Sequence, residues 1–359
     1  MKSIDKYIKN KIITHGSIAI DQYMTLLQQI SFSKNNKAHN SIGKKGNFIT
    51  SPEVSQIFGE MIGVWSVNCW QLLGSPKKFK LVELGPGNGT LTKDMLKVFK
   101  NFPSFMKALD LNLVEMNKNL EKLQRQNLKS KAKWHKNIKN IKSGPIIFIA
   151  NEFFDSLPIK QYQYVYKNWY ERIIYITKEN TFGIKLSSRP QKMNLIKNLN
   201  LKNIENGAIL ECPQYTLKYI DQVCKLIKKY KGAALIIDYG YNQTTIGNSL
   251  QAIRTHKKTS IFDRLGYTDL SSHVNFELLI GVAKKNNLST HGPISQSDLL
   301  NKLGIEYRVE QLSKGKSSLV KKNLQSQLKR LTGKKKMGEL FKAIYISSIN
   351  NEKKELNLL

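Results

Sequence analysis

Three glycines at alternate positions, Gly85, Gly87 and Gly89, follow the apolar run FKLVEL (79–84) and precede a helical stretch that opens TLTKDML. Glycine at such a turn tolerates positive φ and lets the backbone approach a ligand closely, and the first turn of the next helix offers unpaired N–H groups. This is the make-up of a loop for a nucleotide-like cofactor. Glu83 stands just before the loop. Glu115, 26 residues after Gly89, ends LNLVEM (111–116), where a carboxylate can accept both hydroxyls of a ribose. The plainer alternative for Glu115 is a solvated acid at a strand end. A second group of chemically active residues, Asn151, Glu152 and Asp155, follows PIIFIA (145–150), with Phe153 and Phe154 between the acids. Two acids among two phenylalanines suggest a partly desolvated carboxylate pair able to bind a cation, although Asn and Asp also serve as simple caps on a turn. Asp238, in AALIIDYG (233–240), ends another strand on the same edge and is a candidate to join them.

The glycine spacing discriminates between cofactors. A dinucleotide loop of the form G-x-G-x-x-G needs a third glycine at position 90, which is Thr90 here. The G-x-G-x-G spacing preceded by Glu83 resembles the first motif of class I methyltransferases, which bind S-adenosylmethionine. That cofactor has no pyrophosphate, and an acid can sit near its ammonium.

The elements that must carry these residues alternate. FKLVEL, LNLVEM, PIIFIA and AALIIDYG are short and apolar on both faces, as in a parallel sheet covered by helices on each side, so the fold class is α/β. Ligands then sit beyond the carboxyl ends of the strands, which is where the glycines and acids fall. Between 160 and 186 the texture changes to period-2 runs, QYQYVY, WYERIIYIT and FGIKL, separated by KN and KENT; these predict an inserted antiparallel region. Upstream, apolar positions between 17 and 31 have helical spacing. A polar Lys/Asn/Ser/Gly loop (31–47) follows and is a candidate lid, and a helix is predicted over 50–73 from Thr50, Ser51 and Pro52 at its start. Residues 292–359 are expected to be mostly helical.

Composition bounds the function. The 359 residues include 58 Lys+Arg against 26 Asp+Glu, a formal charge of +32. Only seven of the basic residues are Arg, the residue best suited to bidentate phosphate and base contacts, and the lysines are spread from Lys2 to Lys354. A lysine-coated surface is the simpler account; RNA binding is the minority alternative, best supported by Lys129, Lys131, Lys133, Lys136, Lys139 and Lys142. Three scattered cysteines supply neither a disulfide framework nor a zinc site, so no metal is expected and a reducing compartment is the default. No apolar run approaches the ~20 residues of a membrane span, and the first residues have no signal-peptide core. No membrane association is expected.

Six segments in order, GNFITSPEVSQIFGEMIG (46–63), VELGPGNGTLTKDML (82–96), ANEFFDSLPIKQY (150–162), LIIDYGY (235–241), SLQAIRTHK (249–257) and DLSSHVNF (269–276), resemble the MidA-like family of class I methyltransferases. Its mitochondrial member is an assembly factor for respiratory complex I that methylates an arginine of a partner subunit. The resemblance implies a Rossmann-like sheet with an inserted antiparallel β region and additional helices. It divides the chain into an N-terminal helical and lid region (1–77), the first part of the S-adenosylmethionine-binding core (78–160), an inserted substrate-side region with a β-hairpin (161–230), and remaining core strands with a C-terminal helical region (231–359). It implies that Glu83, Gly85, Gly87, Gly89 and Glu115 hold S-adenosylmethionine, that the segment from Thr50 to Gln56 folds over it, and that Asn151, Glu152 and Asp155 line the acceptor side with catalytic roles. Ser55 and Gln56 are candidate contacts to the cofactor or lid. Trp134 and His135 fall just past the third strand region, where such enzymes hold adenine, although a lone Trp is often simply core. The expected substrate is a protein bearing arginine. RNA methylation, or cofactor binding by an assembly factor without turnover, are the alternatives. A start almost at Met1 favours a bacterial, cytoplasmic enzyme. Asn47 and Asn275 replace the family's usual Asp, and the Lys/Asn-rich loop replaces a Tyr-rich segment.

Overall fold

In the computed structural model the described residues are 2–33, 43, 46, 49–129, 132–191, 204–254 and 256–349. Most of the candidate lid (31–47), Asn47 included, lies outside them. The main sheet is built from β1 (Phe79–Leu84), β2 (Leu109–Val114), β3 (Lys133–His135), β4 (Ile146–Asn151), β5 (Gly232–Tyr241), β6 (Ser289–Ser295) and β7 (Phe341–Ser347). Their spatial order is β3-β2-β1-β4-β5-β7-β6, and only β7 runs against its neighbours. The chain therefore winds outward from β1 to β3, returns across the sheet to β4 and continues the other way. The crevice at the carboxyl ends of β1 and β4 is the switch point at which open α/β sheets bind ligands.

The four strands read from the sequence form within two residues of their expected bounds. Burial explains why they lack alternation. Leu81, Leu111, Leu113, Ile147 and Ile149 enter the core on one face, and Val82, Leu84, Val114, Ile146 and Phe148 enter that on the other. Helices α1 (Gln56–Leu72), α2 (Thr90–Phe99) and α3 (Lys118–Leu128) follow the order of the chain, and α4 (Gln214–Tyr230) buries Ile220, Val223, Cys224 and Ile227 against the second face. That helix, counted with the inserted region by its position in the chain, thus packs on the main sheet.

The inserted antiparallel strands Lys160–Val165, Asn168–Ile176 and Phe182–Leu186 pair as their period-2 texture predicts, with Ile209–Cys212 and the short Ile18–Ala19 added at the edges. The N-terminal helices Lys2–His15 and Ile20–Ser33 supply Ile8, Ile12, Tyr23, Met24 and Leu27 to a core shared with Ile174.

Two expectations need correction. The region 292–359 is not mostly helical at its ends: Ser289–Ser295 completes an edge strand, and FKAIYIS forms β7, inserted between β5 and β6. A short apolar run directly after the four-residue helix Met337–Leu340 carries no period that separates strand from buried helix. The single helix over 50–73 is two helices, Ser51–Val54 and α1, broken at Ser55. That residue is extended (φ −159°, ψ 137°) and its hydroxyl accepts the Ile57 N–H at 3.3 Å.

Candidate active site

All three loop glycines have positive φ: 63° at Gly85, 55° at Gly87 and 78° at Gly89. Gly85 is constrained twice, because a Cβ there would lie 2.8 Å from the Phe153 ring. The first strand's loop and the fourth strand's loop therefore touch. One crevice is lined by Thr50, Glu53, Glu83, Gly85, Gly87, Thr90, Asn151 and Glu152, among others.

Glu83, near the end of β1, is buried and accepts the Thr92 hydroxyl from the first turn of α2. Burial pushes its carboxyl up to about 7. Glu115 is buried just beyond β2; its two oxygens accept the Asn117 N–H at 2.8 Å and the Gln124 side-chain amide at 3.0 Å, and burial raises its pKa also. Backbone N–H groups of Thr92 and Met116 also bond Glu83 and Glu115 respectively, and about four acceptor sites per carboxylate leave room for a further donor.

At the end of β4, Asn151 donates to the Glu152 carboxylate at 3.1 Å, and the Ser51 backbone N–H donates to the same oxygen at 2.7 Å. Asn151 Oδ1 is buried without a partner among the described residues, so an acceptor is left aimed at something the chain does not supply. Glu152 has φ 51°, an unfavourable conformation for a side-chain-bearing residue, and its N–H bonds to Ile237 O at 2.9 Å. Burial pushes Glu152 up to about 7 and, with the charge of Glu152 as the next cause, Asp155 up to about 8. Asp238 is completely buried beneath this turn. One of its oxygens accepts the N–H groups of Phe153, Phe154 and Asp155 at 3.1, 2.9 and 3.2 Å, and the other accepts Tyr239 N–H at 2.9 Å. Burial and the nearby carboxyls push Asp238 upward, and these N–H groups oppose them. Asp238 therefore joins the group as the acceptor that shapes the loop.

Not every sequence candidate reaches the crevice. Thr50 lines it, but its side chain caps nothing. Ser55 spends its hydroxyl on the α1 cap, and Gln56 bonds Glu60 at 2.6 Å and Lys97 at 2.6 Å; neither lines the crevice. Trp134 and His135 lie within β3 and point to opposite faces. The Trp134 indole N–H bonds Gln124 at 2.9 Å, with the Arg125 guanidinium 4.0 Å from its ring, whereas His135 Nε2 meets Asn112 at 2.8 Å. Neither residue lines the crevice, nor do Gly89, Glu115 and Asp155.

Three contributors gave no signal in the sequence. Glu53 accepts the Thr90 hydroxyl at 2.6 Å and the Asn88 amide at 3.2 Å, tying the 51–54 turn to the glycine loop. Gln296, fully buried, accepts the Ser51 hydroxyl at 3.1 Å and donates to Leu331 O at 2.9 Å. Gln124 bridges Glu115, Gly87 and Trp134. Each is a polar residue on a helix, and only its tertiary partners distinguish it from a solvated one. Asn275 keeps the role its position requires: it caps Phe276–Lys285 by accepting the Leu278 N–H at 3.2 Å, and its amide donates to Thr244 at 2.8 Å, which an Asp could not do.

A sheet with seven strands in line, one of them reversed, and the short Val274–Asn275 paired beside β5, a glycine loop after the first strand and an acid beyond the second define a class I S-adenosylmethionine-dependent methyltransferase. The model of a family described as S-adenosyl-L-methionine-dependent methyltransferase matches residues 61–294, and the chain belongs to that family. Protein arginine methyltransferase NDUFAF7, mitochondrial, of Xenopus tropicalis is 32% identical over 359 aligned positions, covering 92% of this chain and 83% of the relative. The Homo sapiens protein of the same name is 30% identical, covering 94% and 81%. A Burkholderia thailandensis crystal structure with S-adenosyl-homocysteine bound superposes with a TM-score of 0.82 at 19% identity, over 96% of this chain and 92% of that one.

The cofactor of this enzyme is S-adenosylmethionine, and the residues present fit it: the left-handed Gly85 and Gly87, the buried Glu83 and Asn151, whose side-chain oxygen is orphaned, line one crevice, and Gln124 ties the buried Glu115 to Gly87 of that loop. No helix among the described residues is long and apolar enough to cross a membrane.

Proposed function

We propose that the enzyme methylates a side-chain nitrogen of arginine in a protein partner, a subunit of an assembly like respiratory complex I, in a bacterial cytoplasm. The observation that carries this reading is the Glu152 carboxylate, held by Ser51 N–H and the Asn151 amide where the acceptor loop meets the cofactor loop. The name of the relatives supports the same substrate class; that name also places them in mitochondria.

S-adenosylmethionine, when bound, supplies a methyl group on a positively charged sulfur. In this reading Glu83, Gly85, Gly87, Gly89 and Glu115 hold it, and the turn that begins at Thr50 covers it. Glu152, with Asp155 beside it, pairs with the substrate guanidinium, a geometry that a carboxylate fork matches, and turns one nitrogen toward the methyl carbon. The nitrogen forms its bond to carbon as the carbon–sulfur bond breaks, and the electron pair of that bond stays on sulfur. The methylated guanidinium then releases a proton, which a carboxyl with a pKa near 7 can accept at neutral pH. Orientation and exclusion of water are the protein's contribution, worth up to ~7–11 kcal/mol in well-aligned systems.

The charge of +32 opposes approach of a cationic substrate. Screening within about 8–10 Å limits that repulsion, so the local carboxylates govern the cleft. The same charge motivates the RNA alternative. Labelled S-adenosylmethionine, the enzyme and a cell lysate separate the readings: the proposal requires label that protease removes. Label that ribonuclease removes supports RNA, and no label supports a binding protein without turnover.

A further inference from the structure

The helix α3 leaves nine of its eleven residues exposed or half-buried, yet Gln124 in its middle is completely buried. A buried amide is unfavourable unless its donors and acceptor are satisfied, and here they all are. One N–H of Nε2 donates to Gly87 O at 2.8 Å and the other to Glu115 Oε2 at 3.0 Å, while Oε1 accepts the Trp134 indole N–H at 2.9 Å. The orientation of the amide is fixed by chemistry, because an indole N–H can only donate and a carboxylate and a carbonyl can only accept. The side chain also packs on the glycine loop: a Cβ at Gly89 would lie 3.5 Å from Gln124 Cγ. A single amide thus joins the loop after β1, the acid after β2 and the aromatic residue of β3.

We propose that Gln124 is a positioning residue for the cofactor's ribose, setting the Glu115 carboxylate at a fixed height above the glycine loop. The inference rests on the reading of Glu115 as the ribose acceptor. A Glu115 side chain without Gln124 loses its one side-chain tether and keeps only the backbone N–H groups of the adjoining Met116 and Asn117, which leave the far oxygen free to turn away from the hydroxyls.

The experiment is a double-mutant cycle read by calorimetry with S-adenosyl-homocysteine, using Gln124→Leu, Glu115→Gln and the double variant. Gln124→Leu is expected to weaken binding about ten- to a hundredfold, the scale for disrupting a buried charged acceptor's partner. The double variant is expected to be within about twofold of Glu115→Gln alone, as for two residues acting as a unit. A structural role alone would not change discrimination between adenosine and 2′-deoxyadenosine; Gln124→Leu should reduce that ratio toward one. Trp134→Phe, which removes only the N–H held by Oε1, gives a smaller loss in the same direction and serves if Gln124→Leu does not fold. If Glu115→Gln binds as the wild type does, the ribose reading fails and the proposal falls with it. If Glu115→Gln is impaired while the Gln124→Leu and Trp134→Phe losses are absent, or multiply with that of Glu115→Gln, the proposal alone is overturned.

Discussion

On the proposed function, the cofactor side and the acceptor side of the site are built in different ways. The cofactor side is local: Glu83, the three glycines and Thr92 lie within ten residues of one strand–loop–helix unit, and Glu115 directly follows the very next strand. The acceptor side is assembled from afar. The Glu152 carboxylate takes its donors from Ser51 and Asn151, the turn that follows it is shaped by Asp238, and Ser51 is steadied by Gln296, whose other bond goes to Leu331. A site of the first kind forms wherever its supersecondary unit forms. A site of the second kind exists only when the whole fold is complete, so it is the side that tertiary damage should reach first.

The largest effect expected on this view comes from Glu152→Gln. It should leave affinity for S-adenosyl-homocysteine within about threefold of wild type and lower methyl transfer by at least about a hundredfold, as for loss of a group acting on the reacting substrate. Equal losses in both assays would erase the distinction between the two sides. Next, Asp238→Ala leaves one buried and two partly buried N–H groups without their acceptor and should cost about 3 kcal/mol, read as a lowered unfolding midpoint in urea. Gly85→Ala couples both sides, since it forces a left-handed conformation on a side-chain-bearing residue and drives a methyl into Phe153; about 1–2 kcal/mol of stability should be lost together with cofactor affinity.

The remaining effects are those of pH. Burial raises Glu83 and Glu152 from the ordinary 4.5 to about 7, so the folded protein binds more protons than the unfolded chain between those values. Stability of the cofactor-free enzyme should therefore be greatest below about 4.5 as far as these two groups decide it, and fall as pH rises toward 7. Unfolding curves at several pH values check the slope. Transfer should move oppositely, with kcat/KM rising through about pH 7 as Glu152 gains the charge that pairs with guanidinium. A flat profile across that range would separate Glu152 from substrate binding.

The same contrast explains what could be read in advance. β1 and its glycine loop announce themselves because each residue's function is expressed in its own backbone: positive φ demands glycine, and an all-apolar strand demands burial. Glu152 and Asp155 were visible as acids at a strand end, but what holds them was not. Gln124 and Gln296 are ordinary helical residues whose roles arise from partners 37 and 245 positions away. β7 was hidden for a related reason: its seven residues acquire a strand's identity only from β5 and β6 on either side. Trp134 illustrates the converse, a residue whose conspicuous type suggested direct contact with the cofactor while its N–H is spent on Gln124.

The central claim is that carboxylates at the end of β4 present a protein arginine to a methyl donor held by the glycine loop. It is tested most directly by acid hydrolysis of lysate protein after incubation with labelled S-adenosylmethionine and either wild-type or Glu152→Gln enzyme. The account predicts labelled methylarginine with the wild type and none with the variant; label in another residue or in RNA, or undiminished methylarginine from the variant, would contradict it.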